Sequence, residues 1–336
     1  MTDVLPPVPS AGSTRSAVVI ALDVGGTGIK CALVRPDGTT HHVERHPTGA
    51  DRGPEAVVET ILSIAEGLAD RARADGLTPA AVGIAVPGVV DEAAGVAVWS
   101  SNVGFRDVPL RDLVTARLGL PARLGHDVRA GAVAEARLGA GRGAAYVLFV
   151  AIGTGIAAGL TIDGTAFTGA HGAAGELGHI VVRPNGPKCG CGQTGCLEAI
   201  ASAASVGRRY SELAADWPTG QRIDAAEVVR RARDGEELAS RVWRETIEAL
   251  ADGLLTAQAL YDPAVVVLGG GLAEAGDELL VPLRTALRAR LTFHREPRLV
   301  PAALGDEAGC LGAALLALDS IGAPGAGGTL DPVHTP

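Results

Sequence analysis

The stretch that decides the fold is Ala17–Val34, AVVIALDVGGTGIKCALV, and it has a counterpart at Tyr146–Ile162, YVLFVAIGTGIAAGLTI. In each stretch an apolar run of strand length breaks into a turn that contains Gly-Thr-Gly, and a second apolar run follows. The two stretches therefore predict a chain of two similar halves. Each half opens with a β-hairpin around an unusually glycine-rich turn.

The two turns, Gly25–Thr27 and Gly153–Gly155, combine residue types that suit phosphate binding. Glycine lets a backbone approach a ligand closely, and consecutive N–H groups with a threonine hydroxyl can surround phosphate oxygens. One such turn alone is more often an ordinary hairpin, so the prediction depends on there being two. A dinucleotide-binding motif is excluded because a strand-like run follows Gly155 where a helix would have to begin. A P-loop nucleotide site is also excluded, because the sequence contains no G-x-x-x-x-G-K-[ST].

Helical stretches alternate with these strands, which indicates an α/β fold. They are predicted at Glu55–Ala74, Leu110–Leu118, Val128–Leu138, Ala225–Asp234, Leu238–Tyr261, Glu278–Leu291 and Gly309–Leu318. The last of these is apolar on nearly all sides and is expected to be buried between the two halves or against the first. A third glycine cluster, Gly269–Gly271, follows the strand Ala264–Leu268 and precedes a stretch that looks helical from Leu272. A strand, a glycine turn and a helix N-terminus together suit the phosphates or ribose of a nucleotide.

Composition narrows the class of protein. The 336 residues carry a formal net charge of −9 and are 47% hydrophobic and 20% charged, which fits a soluble globular protein of two domains. Lys and Arg form no run, so a nucleic-acid partner is not indicated. The first sixteen residues lack the apolar core of a signal peptide, and no apolar stretch is long enough for a transmembrane helix. We expect a cytoplasmic protein with no membrane partner, disordered ends at 1–16 and 319–336, and buried, inert thiols at Cys31 and Cys310.

Three cysteines are crowded into one glycine-rich loop. Cys189, Cys191 and Cys196 have the spacing C-x-C-x4-C, and His179 lies ten residues upstream of the first. Crowded cysteines in a cytosolic chain indicate a metal site rather than a disulfide. Three thiolates and one imidazole complete a tetrahedral Zn²⁺ site, which would hold the loop in shape without activating water. The alternative is a loop with three reduced cysteines.

Two glutamates flank this loop. Glu176 lies three residues before His179, and Glu198 lies two residues after Cys196. With the loop fixed by zinc, the two carboxylates and the second ring nitrogen of the histidine suit the recognition of sugar hydroxyls. An exposed glutamate is more often only solvated. The sugar-binding interpretation therefore depends on the metal site.

One aspartate is a candidate general base. Asp127 ends the segment ARLGHD at 122–127 and immediately precedes a predicted helix. It could serve as the N-cap of that helix, which is the commonest use of aspartate at such a position. In a kinase it could also accept the proton of the attacking hydroxyl. The local sequence leaves both roles open.

Taken together, these motifs resemble the ROK family, named for repressors, open reading frames and kinases, from about Val18 to Leu318. The most specific part is GELGH at 175–179 followed by CGCGQTGCLE at 189–198. The paired glycine turns, VPGVVD at 86–91, NVGFRDVPL at 102–110 and the GGG turn also occur in the family's order.

The resemblance implies an actin-like ATPase fold related to hexokinase, with two lobes and with ATP and a sugar bound in the inter-lobe cleft. We expect an N-terminal lobe at 17–127, joined by the C-terminal helix at 309–318, and a C-terminal lobe at 128–308 with the zinc loop. Small-molecule sugar and ATP are the expected partners, in a homo-oligomer of two or four chains.

The resemblance also assigns residues to roles. The residues facing the ATP phosphates and Mg²⁺ would be Asp23, Gly25, Gly26, Thr27, Gly153, Thr154 and Gly155, with Gly270 and Gly271 near the adenosine. Sugar hydroxyls would be bound by Asn102, His126, Asp127, Glu176, His179 and Glu198, with Asp127 as the base that deprotonates the C6 hydroxyl. The zinc ligands would be His179, Cys189, Cys191 and Cys196.

Two departures from the family pattern bear on the choice of sugar. Family kinases usually have Asn-Asp where this chain has His126-Asp127, and Asp-Ala-Asn where it has Asp127-Val128-Arg129. The GHDVRAG stretch most resembles actinobacterial members assigned to N-acetylglucosamine. We therefore predict ATP-dependent phosphorylation of N-acetylglucosamine to N-acetylglucosamine 6-phosphate, with glucose as the alternative substrate.

Two other functions within the family's reach are disfavoured. A sugar-sensing repressor would need an N-terminal helix-turn-helix domain, and the first core strand is expected to start near Ala17. A kinase-like module that binds sugar without catalysis is disfavoured because Asp127 and both phosphate turns are present.

Overall fold

The computed structural model describes residues 16–214, 221 and 223–322. These residues form two compact units, one of residues 16–127 and 313–322 and the other of residues between 128 and 312. The predicted disordered ends lie outside the described residues, apart from residue 16 and residues 319–322. The last helix continues to Ser320, so the predicted tail begins two residues too early.

The described residues form thirteen strands and nine α-helices. The strands are β1 Ala17–Val24, β2 Gly28–Val34, β3 Thr40–Pro47, β4 Thr78–Val86, β5 Val89–Asp91, β6 Val96–Trp99, β7 Arg106–Val108, β8 Ala122–His126, β9 Tyr146–Ile152, β10 Ile156–Ile162, β11 Thr165–Ala166, β12 Val265–Gly269 and β13 Arg298–Pro301. The helices are α1 Pro54–Ala74, α2 Leu110–Leu118, α3 Asp127–Arg137, α4 Leu197–Ala201, α5 Ala203–Leu213, α6 Ala225–Arg233, α7 Glu237–Tyr261, α8 Asp277–Arg288 and α9 Ala308–Ser320. None of the helices in the described part of the chain has the length and apolar character needed to cross a membrane.

The two units repeat one sheet topology. The first sheet has the order β3-β2-β1-β4-β8, and the second has the order β11-β10-β9-β12-β13. In both sheets the first three strands along the chain pair antiparallel, and the remaining two extend the sheet in parallel. The predicted duplication, with a hairpin opening each half, is confirmed. A small third sheet, β5-β6-β7, belongs to the first unit.

The burial of each strand accounts for its sequence pattern. Helix α1 packs on β1, β2 and β4, so β1 and β2 are buried along most of their length. Central strands covered in this way read as continuous apolar runs. Strand β3 lies at the edge of its sheet, and its sequence THHVERHP is partly exposed and mostly polar.

Helix α9 packs directly on the first sheet through two glycines. A Cβ atom at Gly83 in β4 would lie 1.8 Å from the carbonyl oxygen of Ala313, and one at Gly125 in β8 would lie 2.5 Å from a methyl carbon of Leu316. Any side chain at these positions would push the helix away. The first unit therefore needs this late segment of the chain to cover β4 and β8.

One edge of each sheet collects the segments that carry the predicted site residues. In the first sheet, β1, β4 and β8 are parallel, with Asp23 opposite Ala85 and Val86 opposite His126. Their carboxyl ends therefore place the first glycine turn and the start of α3 at the same edge. In the second sheet, Ala151 is opposite Gly269, which brings the second glycine turn and the third glycine cluster to one edge.

Candidate active site and metal centre

The first glycine turn is held in shape by a threonine that the sequence did not single out. Thr48 follows β3 and is fully buried. Its hydroxyl donates to the carbonyl oxygen of Gly25 at 2.6 Å, and its N–H donates to the carbonyl oxygen of Thr27 at 3.1 Å. The threonine side chain of the turn itself remains exposed. A threonine directly after a polar edge strand was the only signal for Thr48.

Asn102 lies against this turn. A Cβ atom at Gly26 would be 3.2 Å from the Cβ of Asn102 and 3.6 Å from its carbonyl oxygen. Gly26 thus permits a close approach that a larger residue would prevent. The side chain of Asn102 is exposed beside the turn. The structure therefore brings a predicted sugar ligand next to predicted phosphate ligands within the first unit.

Asp127 and His126 form a close pair at the end of β8. Helix α3 begins at Asp127 itself, so the aspartate is the first helical residue rather than a residue before the helix. The Nδ1 atom of His126 lies 3.3 Å from Oδ1 of Asp127, and the two side chains are 10% and 30% exposed. The backbone N–H of His126 donates to Glu92 at 3.4 Å. The imidazole is thus buried and faces the carboxylate.

In the second unit, the third glycine cluster packs against the strand that leads into the second glycine turn. Gly270 has φ +82°, and a Cβ there would lie 2.6 Å from the carbonyl of Ile152. Thr154 is exposed, as is its counterpart Thr27. The stretch from Leu272 is helical, as predicted, but Gly271–Ala275 is a five-residue 3₁₀ helix, and α8 follows after Gly276, whose φ is +58°.

The four predicted metal ligands converge. The side-chain ligand atoms of His179, Cys189, Cys191 and Cys196 all lie within 4.8 Å of one another. The Sγ atoms of Cys191 and Cys196 are 3.7 Å apart, as are the Sγ of Cys189 and the Nδ1 of His179. A tetrahedral zinc ion with Zn–S distances of about 2.3 Å separates its sulfur ligands by about 3.7 Å. The four side chains are therefore gathered closely enough to hold a zinc ion.

The backbone of the loop explains why these side chains meet. The backbone N–H of Cys189 donates to the carbonyl oxygen of Gln193, and the N–H of Gly192 donates to the carbonyl oxygen of Cys189. These bonds make a tight turn around Cys191. Gly195 has φ +79°, and a Cβ there would lie 1.5 Å from the carbonyl oxygen of Arg183.

The protonation of the thiols also fits a cation. Burial, together with the neighbouring thiols, raises the pKa of the Cys196 thiol well above its usual range. The N–H of Gln193 is the main cause that lowers the pKa of Cys191. A buried thiolate at Cys196 therefore needs a positive charge beside it, which a metal ion supplies.

Glu176 and His179 are oriented together. Oε2 of Glu176 lies 3.9 Å from Nε2 of His179, while the other ring nitrogen of His179 faces the cysteines. A metal on Nδ1 would leave Nε2–H pointing toward the carboxylate, a common arrangement around metal-bound histidines. Glu176 is itself exposed, so its carboxylate can also reach a ligand.

Glu198 lies in the first turn of α4, two residues after the predicted metal ligand Cys196. Its Oε2 accepts a hydrogen bond from the N–H of Ile156 at 2.9 Å. Ile156 is the first residue of β10, after the second glycine turn. The structure therefore places Glu198 against that turn, a contact that the sequence did not predict.

Arg129 is a buried residue whose contact also escaped prediction. It lies in the first turn of α3, is only 3% exposed, and donates from Nη1 to the carbonyl oxygen of Gly172 at 2.8 Å. Gly172 precedes Glu176 by four residues in the same loop. The arginine that departs from the family pattern thus holds the loop that carries Glu176.

The two remaining cysteines are buried, as predicted. Cys310 lies in α9, and Cys31 lies in β2 opposite Glu44. Burial, followed by the charge of Glu44, raises the pKa of Cys31 to about 11, so this thiol is protonated and unreactive at neutral pH. The surroundings of Cys31 are less apolar than expected, because Glu44 and His46 lie within 4.8 Å of it.

The structure thus gathers the predicted residues into two sets. Asp23, the first glycine turn, Asn102, His126 and Asp127 lie in the first unit, at or beside the carboxyl edge of its sheet. The second glycine turn, the third glycine cluster, the four metal ligands, Glu176 and Glu198 lie in the second unit.

Comparison with known proteins identifies the family of this chain. The sequence profile of the ROK family matches residues 19–320. A glucokinase of Thermotoga maritima is 33% identical over 320 residues, which cover 90% of this chain and 98% of the relative. An N-acetylmannosamine kinase of Salmonella typhi is 34% identical over 304 residues, which cover 89% and 97%.

A solved structure extends the similarity to three dimensions. The crystal structure of a ROK family glucokinase from Streptomyces griseus in complex with glucose and AMPPNP has a TM-score of 0.76 and 32% identity. The match covers 90% of this chain and 99% of that one. The fold is accordingly the actin-like ATPase fold related to hexokinase, as predicted, and the chain belongs to the ROK family.

Proposed function

We propose that this protein is an ATP-dependent sugar kinase that phosphorylates the C6 hydroxyl of a hexose. The observation that carries the proposal is the position of Asp127. Its partly exposed carboxylate starts α3 at the sheet edge that also holds Asp23 and the first glycine turn. A carboxylate base and phosphate-binding turns at one edge are the groups that phosphoryl transfer to an alcohol requires.

The roles follow from the residues. Asp127 orients the C6 hydroxyl and accepts its proton as the oxygen attacks the γ-phosphorus of ATP. The N–H groups of the two glycine turns stabilise the charge on the phosphate oxygens. Mg²⁺ would supply further neutralisation when bound with ATP, and Asp23 is the carboxylate proposed to hold it. Asn102, Glu176, His179 and Glu198 are proposed to bind the sugar hydroxyls.

We propose zinc as a structural metal at His179, Cys189, Cys191 and Cys196. Four protein ligands leave no position open for water or substrate, so the ion contributes rigidity to the loop. The expected homo-oligomer stays a prediction, for which light scattering on the purified protein is the direct test.

Glucose is the sugar best supported by the relatives, two of which are named glucokinases. N-acetylglucosamine is the second candidate, and His126 is the observation that favours it, since the family usually has asparagine there. A coupled assay with ATP against glucose, N-acetylglucosamine, N-acetylmannosamine, mannose and fructose tests both candidates. If the protein phosphorylates none of these sugars, the sugar-kinase proposal is wrong.

The variant His126→Asn should shift the ratio of kcat/KM for the two sugars toward glucose. An imidazole is wider than a carboxamide and offers one donor and one acceptor when neutral. Because His126 is buried beside Asp127, the change alters both the pocket and the placement of the base. The ratio of kcat/KM values should change by about 10–200-fold, the range expected when a site gains or loses contact with a small group.

His42→Asn is the matched control for this variant. His42 is also paired with an aspartate, its Nε2 lying 2.5 Å from Asp75, but it sits on the edge strand β3. The control should leave the ratio unchanged. If wild type prefers glucose and His126→Asn does not alter the ratio, His126 does not determine specificity.

The variant Arg129→Met should lower the free energy of unfolding by about 1–3 kcal/mol, because it removes a charged donor from the carbonyl of Gly172. It should also raise the KM for the sugar, since Gly172 belongs to the loop that carries Glu176. Denaturant unfolding and steady-state kinetics measure the two effects.

Arg137→Met separates the two effects. Arg137 lies on the same helix and donates to the carbonyl oxygen of Gly164 at 2.8 Å, in the turn between β10 and β11. The control should be destabilised but keep the KM of wild type. An unchanged KM in Arg129→Met would show that Arg129 serves stability alone.

A further inference from the structure

The second glycine turn is held by the segment that follows the last zinc ligand. The N–H of Ala203, at the start of α5, donates to the carbonyl oxygen of Gly153 at 2.8 Å. The N–H of Ile156 donates to Oε2 of Glu198 at 2.9 Å. These bonds fix both ends of the turn, which closes on itself through Gly153 N–H and the carbonyl oxygen of Gly155 at 2.9 Å.

The contact with Glu198 leaves no spare room. A Cβ atom at Gly155 would lie 2.5 Å from Oε2 and 3.3 Å from Cδ of Glu198. Gly155 therefore allows the carboxylate to approach the turn closely. The direction of the peptide between Gly155 and Ile156 depends on where that carboxylate is held.

The position of Glu198 is in turn fixed by the metal loop. Cys196 is fully buried and directly precedes α4, in which Glu198 is the second residue. Leu197 donates from its N–H to Ile180 at 2.9 Å, and its side chain packs on Gly253 of α7 so tightly that a Cβ there would be 2.6 Å from Leu197 Cδ2. Only the buried Leu197 separates Cys196 from Glu198 along the chain.

We propose that Glu198 is a positioning residue for the second glycine turn and that the metal centre sets the shape of this turn through it. Binding of a nucleoside triphosphate would then depend on the zinc loop even when no sugar is present. The inference rests on the proposed function in one respect, namely that this turn binds ATP phosphates. A residue that only bound sugar hydroxyls would have no such effect on the nucleotide.

Two readouts test the proposal separately from the proposed function. Amide hydrogen exchange of the peptide around 153–157, measured without ligands, reports the shape of the turn whether or not ATP binds. Calorimetric titration with Mg²⁺ and AMPPNP, without sugar, reports nucleotide affinity. Zinc content is measured for every variant, so that loss of the metal is recognised.

Glu198→Ala should speed exchange at Ile156 at least about tenfold, as expected for the loss of one hydrogen bond to a charged acceptor. It should also weaken AMPPNP binding at least about tenfold while retaining zinc. Glu198→Gln keeps an oxygen that can accept from Ile156, so it should restore both readouts to within about twofold of wild type. Removal of zinc with a chelator should speed the same exchange.

Glu176→Gln is the matched control, because Glu176 is the other proposed sugar ligand beside the metal loop. It should leave exchange of the turn and AMPPNP affinity unchanged. Wild-type exchange in Glu198→Ala would overturn the proposal. If exchange responds as expected but wild type itself binds no AMPPNP, the positioning role stands and the kinase function fails.

Discussion

Asp127→Asn should lower kcat at least about 10²-fold, the low end of the effect of losing a general base, while the protein keeps its fold and its affinity for sugar. An amide has nearly the shape of the carboxylate and still hydrogen-bonds a hydroxyl, but it cannot accept the proton as the oxygen attacks. The loss should therefore appear in kcat and in kcat/KM rather than in sugar binding. Steady-state kinetics and sugar titration by calorimetry measure the two quantities.

Asp112→Asn is a suitable control for this variant. Asp112 also lies in the first turn of a helix and has a nitrogen-bearing side chain beside it, since Oδ1 is 2.9 Å from Nε of Arg111. The same chemical change should leave kcat as in wild type. Near-normal turnover in Asp127→Asn would remove Asp127 from the mechanism.

Metal analysis of the purified protein should find about one zinc per chain, as one four-ligand site requires. Cys191→Ser should lose most of this zinc and lower the midpoint of thermal unfolding, because thiolates no longer surround the ion. Sugar KM should rise at least about tenfold, since the loop presents Glu176 and His179, and damage to the surroundings of a metal commonly costs 10–100-fold in activity. Mass spectrometry, thermal unfolding and kinetics give the three values.

Cys310→Ala provides the comparison, because Cys310 is a buried cysteine in α9 outside the metal cluster. It should keep the zinc and the KM of wild type even if stability falls. A wild-type protein that is free of metal yet fully active would refute the zinc assignment.

The sequence predicted those parts of the fold whose signal is local. Both opening hairpins combine buried apolar runs with a glycine turn, and the metal loop carries its ligands within eighteen residues of one another. Strand β3 was not predicted, because an edge strand does not need apolar residues on both faces. Its three histidines also obscure the alternation of apolar and polar residues that indicates a strand. Helix α5 was also not predicted, although the hydroxyl oxygen of Ser202 caps it by accepting a hydrogen bond from the N–H of Ser205 at 3.1 Å.

Contacts between residues far apart in the chain were beyond local patterns. Glu198 meets Ile156 across 42 residues, and Arg129 meets Gly172 across 43. An arginine is usually exposed, so nothing near Arg129 indicated that it would be buried.

The seating of α9 on Gly83 and Gly125 has a consequence for synthesis on the ribosome. The second unit is one continuous stretch of chain, whereas the first is completed only by residues beyond 312. At an elongation rate of about 5–20 residues per second, the sheet of the first unit waits roughly 10–40 s between translation of its last strand and translation of the helix that covers β4 and β8. During that interval the nascent chain exposes an apolar sheet face, so we expect the first unit to finish folding only after the whole second unit has been translated.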